Sequence, residues 1–240
     1  MPEVRIENVS FSYSNRKKQE INVFNDFSLS IKSEQITVVM GESGCGKTTL
    51  LRLIAGLEEP ETGHILVDEI DITNEEPRKR NISYVTQSLT SYPHLTAFQN
   101  IALPLKIMGC DSSEIRRRVF EIAKKLKIEH FLSFKPRHLS LGQNQRVILA
   151  RAIVKKPSLL LLDEPFSNLD QQIKNELIED LKKTIKEAGF TVVFVTHNVK
   201  EALYFADNLV IINKDKIIYN GLPNDAFKSV NPEIVELLRE

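Results

Sequence analysis

Two acids stand side by side where an apolar strand should end. The run LLLLDEP places Asp163 and Glu164 directly after four leucines. Carboxylates at the end of a buried strand are costly unless a cation or a reaction uses them. A second run, GESGCGKT at 41–48, follows an apolar stretch and precedes the helical pattern TLLRLIAGL. It fits GxxxxGK[ST] in the required setting of strand, loop and helix, which makes it a phosphate-binding loop. Gly41, Gly44 and Gly46 let the main chain approach a phosphate closely. The loop N–H groups, from Glu42, Ser43 and Cys45 to Thr49 at the helix start, then point at the anion. Lys47 supplies a mobile positive charge, and the Thr48 hydroxyl can ligate Mg2+. In this reading Asp163 holds the Mg2+ or its water, and Glu164 polarises an attacking water as general base. The Glu42 side chain faces away from the phosphates, because an inward anion would repel them. Cys45 contributes its backbone. His197 follows another apolar run, TVVFVT, at the same kind of strand end.

These residues need elements to hold them. Short β-branched runs alternate with longer helical patterns. Residues 36–40, 82–86, 159–163, 191–196 and 209–213 read as strands, several apolar throughout, as in a parallel sheet covered on both faces. Residues 170–188 read as a helix, with Ile173, Leu177, Leu181, Ile185 and Ala188 on one face and Gly189 ending it. Val4 to Tyr13 and Phe24 to Ile31 alternate like antiparallel strands, joined by a charged turn at Asn15 to Glu20. From Ser88 to Leu149 the strand pattern gives way to helix. Residues 112–132 read as one amphipathic helix, and Pro104 and Pro136 punctuate the region. The expected fold is an α/β phosphate-loop core with an N-terminal antiparallel β subdomain and an inserted α-helical subdomain. Residues 1–240 form one domain, with 1–88 and 150–240 as the core and 89–149 as the helical insertion.

Composition bounds the function. The chain has 240 residues, 42% of them hydrophobic and 27% charged, which suffices for one large globular domain. Lys plus Arg and Asp plus Glu number 32 each, so the chain is not the strongly basic kind that grips duplex nucleic acid. No apolar run reaches the roughly 20 residues that cross a bilayer. The N-terminus lacks a signal-peptide layout, so the expected location is the cytoplasm, with any membrane role peripheral. Cys45 and Cys110 read as two reduced thiols.

The ordered set of motifs resembles the ATP-binding cassette family over nearly the whole chain, from about Val4 to Phe227. GESGCGKT looks like the Walker A motif and LLLLDEP like Walker B with its catalytic glutamate. Gln87, in YVTQS, looks like the Q-loop glutamine. LSLGQ, residues 139–143, looks like the signature motif. SNLD, residues 167–170, looks like the D-loop, and His197 like the switch histidine. Tyr13 sits where the family places an adenine-stacking aromatic, with Phe11 as the alternative. The resemblance implies ATP and Mg2+ as ligands, with Gln87 near the metal and His197 in catalysis. It implies two cassettes head to tail, so that Ser140, Gly142, Gln143 and Asp170 meet the nucleotide held by the other subunit.

The resemblance also implies partners: transmembrane permease subunits, a second cassette that is a second copy or a paralogue, and, for an importer, a solute-binding protein. The segment YPHLTAFQNIALPL, residues 92–105, is similar to importer cassettes and also to lipoprotein-release cassettes, and Gln143 after Gly142 favours an importer. Soluble cassette ATPases that act on DNA or ribosomes form a third class. The missing coiled-coil insertion, the single phosphate loop and the neutral charge argue against it. Leu141 departs from the family's LSGGQ. In this reading it adds bulk and removes backbone freedom where a phosphate would come close.

Overall fold

Alternation along the strands decides the architecture. In chain order the elements are β1 (Val4–Ser14), β2 (Glu20–Ile31), β3 (Ile36–Met40), α1 (Lys47–Ala55), β4 (Thr62–Val67), β5 (Ile70–Asp71), β6 (Ile82–Val85), α2 (Ala97–Ile107), α3 (Ser112–Lys125), α4 (Leu141–Ile153), β7 (Leu159–Asp163), α5 (Gln171–Ala188), β8 (Thr191–Val195), α6 (Val199–Phe205), β9 (Asn208–Asn213), β10 (Lys216–Gly221), α7 (Pro223–Ala226) and α8 (Pro232–Leu237). The structure is a computed structural model that describes residues 2–14, 20–87, 90–167 and 169–238. Residues 15–19 of the charged turn, Ser88 at the start of the helical stretch, and Asn168 of SNLD lie outside the described residues.

Strands β3, β7 and β8 are buried at every position. Their even and odd residues enter two different cores. Val38, Met40, Leu160, Leu162, Val192 and Phe194 pack toward α2 to α6. Val39, Leu159, Leu161, Val193 and Val195 pack toward α1 and the strands β1, β2 and β4. A sheet covered on both faces needs apolar residues throughout, and each fully buried leucine contributes roughly 2 kcal/mol. The sheet runs β10-β9-β3-β8-β7-β6. The five strands from β9 to β6 are parallel, and β10 closes one edge antiparallel to β9. A second, antiparallel sheet runs β2-β1-β4-β5. The expected α/β class with an antiparallel subdomain and a helical insertion is borne out.

Several local expectations need correction. The helix expected over 112–132 stops at Lys125. Leu126 caps it, Lys127 turns into the left-handed region at φ 54, and Ile128 N–H bonds back to the Ala123 carbonyl. A separate 3-10 turn follows at Glu129–Phe131. Pro104 does not break the chain but lies inside α2, whose Ile101, Ala102 and Leu105 are fully buried. Tertiary packing outweighs the lost backbone bond there. Asp170 is the cap of α5 and not its first residue, its carboxylate accepting from Ile173 N–H at 3.1 Å. Strands β4, β5 and β10 were not expected at all. Both cysteines are free thiols. Among the described residues no helix is long and apolar enough to cross a membrane.

Candidate functional site

Parallel strands all end on one edge of a sheet, and in open α/β sheets that edge is where ligands bind. Here β3 runs into the glycine loop, β6 into Gln87, β7 into Asp163 and Glu164, and β8 into Thr196 and His197. These segments line a cavity of about 600 Å3 with Tyr13, Ile21 and Val23 at one side. Ser43, Gly44, Gly46, Lys47, Thr48, Thr49, Gln87, Glu164 and His197 form the rest of its wall.

The loop's shape follows from its glycines. Gly46 caps α1 at φ 99, and a Cβ there would lie 2.9 Å from both Phe24 and Val23. A Cβ on Gly41 would lie 2.1 Å from the Ile212 carbonyl oxygen of β9. A side chain fits at neither place. With no side-chain cap at Gly46, the first N–H groups of α1 stay directed at the cavity, a cradle for an anion. Lys47 Nζ reaches back across the loop and donates to the carbonyls of Gly41 at 2.8 Å and Glu42 at 2.7 Å, with Cys45 Sγ 3.7 Å away. Gly41, Glu42 and Cys45 therefore shape the loop from behind, and the Glu42 side chain is exposed.

Two carboxylates stand at the end of β7 beside the cavity. Asp163 is 2% exposed. Its Oδ1 accepts the Thr48 hydroxyl at 3.2 Å and its Oδ2 the Tyr84 hydroxyl at 3.0 Å. Burial pushes the Asp163 carboxyl above its usual range, while the Tyr84 and Thr48 hydroxyls pull it back. Burial and the neighbouring Asp163 charge hold the Tyr84 phenol well above its ordinary value, so it acts as a donor. Glu164 sits at φ 45, an uncommon conformation for a residue with a side chain, and its N–H bonds to the Val195 carbonyl at 3.0 Å. That turn carries its carboxylate off the strand line toward two partners. Gln87 Nε2 donates to Oε2 at 3.1 Å, and His197 Nδ1 meets Oε1 at 3.0 Å. An ionised carboxylate only accepts, so this contact fits the His197 tautomer that carries its proton on Nδ1. A carboxylate held between a donor amide and an imidazole can accept a proton from water beside a phosphate cradle.

The donor set also fits a small hard cation. Thr48 Oγ1 and Asp163 Oδ1 are adjacent oxygens at the mouth of the phosphate loop, the kind of donors that Mg2+ takes together with substrate phosphates.

Sequence reasoning missed part of this machinery. Tyr84 opens the YVTQS segment but was given no role there. Ile21 and Val23 lie on an edge strand beyond the charged turn. The turn bearing His197 is braced by Thr196 Oγ1 donating to Glu201 Oε2 at 2.6 Å, and Glu201 pairs with Lys174 of α5. Gln145 of α4 donates to the Pro165 carbonyl next to Glu164. A Glu-Lys pair far apart in sequence carries no local signal. Tyr84, three residues before Gln87 on an apolar strand, was a polar group needing a partner, and that signal was readable.

Ser140, Gly142, Gln143 and Asp170 do not line this cavity. Ser140 caps α4: its Oγ accepts from Gln143 N–H at 3.2 Å, and Gln143 Oε1 accepts from Ser140 N–H at 2.9 Å. Leu141 is the first residue of α4 and 57% exposed, with ordinary helical backbone. The expected loss of backbone freedom is corrected: a helical position asks for none. Gly142 is buried, and a Cβ there would lie 2.4 Å from Ile173 Cγ2. Its small size lets α4 and the start of α5 touch.

This chain is similar to known proteins. Residues 24–167 match the family model described as ABC transporter. A molybdate/tungstate import ATP-binding protein of Pyrococcus horikoshii is 42% identical over 97% of this chain and 66% of its own length. A spermidine/putrescine import ATP-binding protein of Haemophilus influenzae is 39% identical over 95% of this chain and 60% of its own length. The chain thus spans less than two thirds of the length of these curated relatives. A solved dimeric ATP-binding cassette, in a post-hydrolysis state bound to ADP and Pi, superposes with a TM-score of 0.81 at 31% identity over 92% of this chain and 98% of its own. The motifs, the strand-end geometry and these matches agree that the chain belongs to the ABC transporter family.

Proposed function

We propose that this chain binds and hydrolyses ATP as the nucleotide-binding subunit of a membrane importer. One observation carries the reading: a phosphate loop, Thr48 bonded to the buried Asp163, and a Glu164 flanked by Gln87 and His197 meet at one cavity, of which all but Asp163 form the wall.

The loop N–H groups and Lys47 hold the β- and γ-phosphates. Tyr13 stacks on adenine, a role supported by its exposed ring at the cavity lip, whereas Phe11 is 6% exposed and belongs to the core. Thr48, Asp163 and the Gln87 side-chain oxygen would hold Mg2+, which would supply charge neutralisation to the phosphates. Glu164 takes the proton of the attacking water, and His197 orients Glu164 and the γ-phosphate end. Ser140, Gly142, Gln143 and Asp170 complete the site from a second cassette. Their position outside this chain's own cavity supports that arrangement, as does the dimeric state of the similar solved cassette. Binding and release of the pair then move a permease between conformations.

The importer class is supported by the relatives' names. One names an oxyanion and the other polyamines, at 42% and 39% identity, so similarity in this chain does not follow the cargo. Recognition of solute belongs to permease subunits and a solute-binding protein. The chain sits at the cytoplasmic face of the membrane as a peripheral subunit. The test is to tag it in its native host, solubilise membranes gently and identify what co-purifies. A polytopic permease with a solute-binding protein is the expected result. A membrane subunit with a large extracytoplasmic domain and no binding protein points to release or export, and soluble partners alone overturn the transporter reading.

A further inference from the structure

Tyr84 opens the YVTQS segment that carries Gln87, and its hydroxyl reaches the buried carboxylate of Asp163. The reason lies in strand alternation. On β6, Ser83 and Val85 turn away from α1, with Val85 in the helical core, while Ile82 and Tyr84 pack with the α1-side core. On β7, Leu159 and Leu161 share that α1 side, so Asp163, two residues on, shares it too. Tyr84 pairs with Leu161 in the parallel ladder. The phenol thus leans along the sheet toward the carboxylate at the end of the neighbouring strand.

The two oxygens of Asp163 are then held from opposite sides. Thr48 on α1 donates to Oδ1, and Tyr84 on β6 donates to Oδ2, at 3.2 and 3.0 Å. A carboxylate torsion is soft, so a buried Asp without the second donor can rotate and spoil the presentation of either oxygen. We propose that Tyr84 is a positioning residue for the cation site: it pins Oδ2 of Asp163, so that Oδ1 and the Thr48 hydroxyl face a divalent cation together. The proposal rests on the reading of this cavity as an ATP–Mg2+ site. Partners that orient a metal-binding carboxylate commonly matter about 10- to 100-fold to metal affinity.

The experiment titrates a fluorescent, non-hydrolysable ATP analogue into the full chain, first with chelator and then across a series of Mg2+ concentrations. Tyr84→Phe removes only the hydroxyl. It is expected to leave Mg2+-free nucleotide affinity within about twofold of wild type and to raise half-saturating Mg2+ about tenfold. Tyr84→Met also lacks the hydroxyl, gives the same shift, and serves if the Phe variant melts early. Asp163→Asn is expected to abolish the Mg2+ increment, and adding Tyr84→Phe to it changes nothing further. An unchanged Mg2+ midpoint in Tyr84→Phe, or an equal loss with and without Mg2+, overturns the positioning role while leaving the site reading intact. Full Mg2+ dependence in Asp163→Asn overturns the site reading itself.

Discussion

Helices α1 and α4 both begin with a short segment that motif reading assigns to phosphate, but their N-termini are built in opposite ways. At α1 the cap is Gly46, in the left-handed region, with no side chain to occupy the first N–H groups. At α4 the cap is Ser140, and a reciprocal Ser140–Gln143 pair satisfies two of the local donors. The first helix end keeps its donors and its positive end for an incoming anion, and the second is self-contained. The first also has Asp163 and Glu164 at the end of β7 in the same sheet, whereas the second is packed by Gly142 against Ile173. One end is a site within the chain. The other satisfies its own donors and stands outside the cavity.

That contrast can be broken in order of expected size. Glu164→Gln keeps the shape of the side chain but not its proton affinity. ATP turnover should fall by about 10^2- to 10^4-fold, with ATP binding retained, in steady-state phosphate release. Turnover at the wild-type rate would remove Glu164 as the base. Gly142→Ala drives a methyl into Ile173 and should lower stability by about 1–3 kcal/mol in denaturant unfolding. Ile173→Ala in the same chain should recover part of that loss, and no recovery would mean that the contact is not the cause. Ser140→Ala should cost about 1 kcal/mol through the lost cap, read from the same unfolding curves. Leu141→Gly is the mildest change, under about 1 kcal/mol at an exposed first helical position, with ATPase activity kept or raised. A large loss of activity there would show that Leu141 touches the partner cassette.

The local parts of the site were legible. The glycine loop, the strand-end acids and the apolar runs are contiguous in sequence, and the structure brings Gln87 and His197 to the same carboxylate, Glu164. What was not legible depends on contacts between distant residues or on half-exposed strands. Strands β4 and β10 are largely half-buried edge or subdomain strands without a strong pattern, and β5 is a two-residue pairing. The end of α3 hinges on Lys127 adopting a positive φ, which no apolar periodicity announces. The backbone freedom asked of Leu141 is not needed, because Ser140 and Gln143 form a capping box and Leu141 opens the helix. The Thr196–Glu201–Lys174 bracing and the Gly142–Ile173 contact exist only once the helices are packed.

The central claim is that phosphate is held by the open end of α1 and not by α4 of the same chain. It is tested most directly by calorimetric titration of ATP with Mg2+ into the wild type, Lys47→Ala and Ser140→Ala at concentrations where the chain is monomeric. The account predicts about a hundredfold weaker binding in Lys47→Ala, roughly the worth of a charge-assisted contact, and unchanged binding in Ser140→Ala. Equal affinity for wild type and Lys47→Ala, or a loss confined to Ser140→Ala, would contradict it.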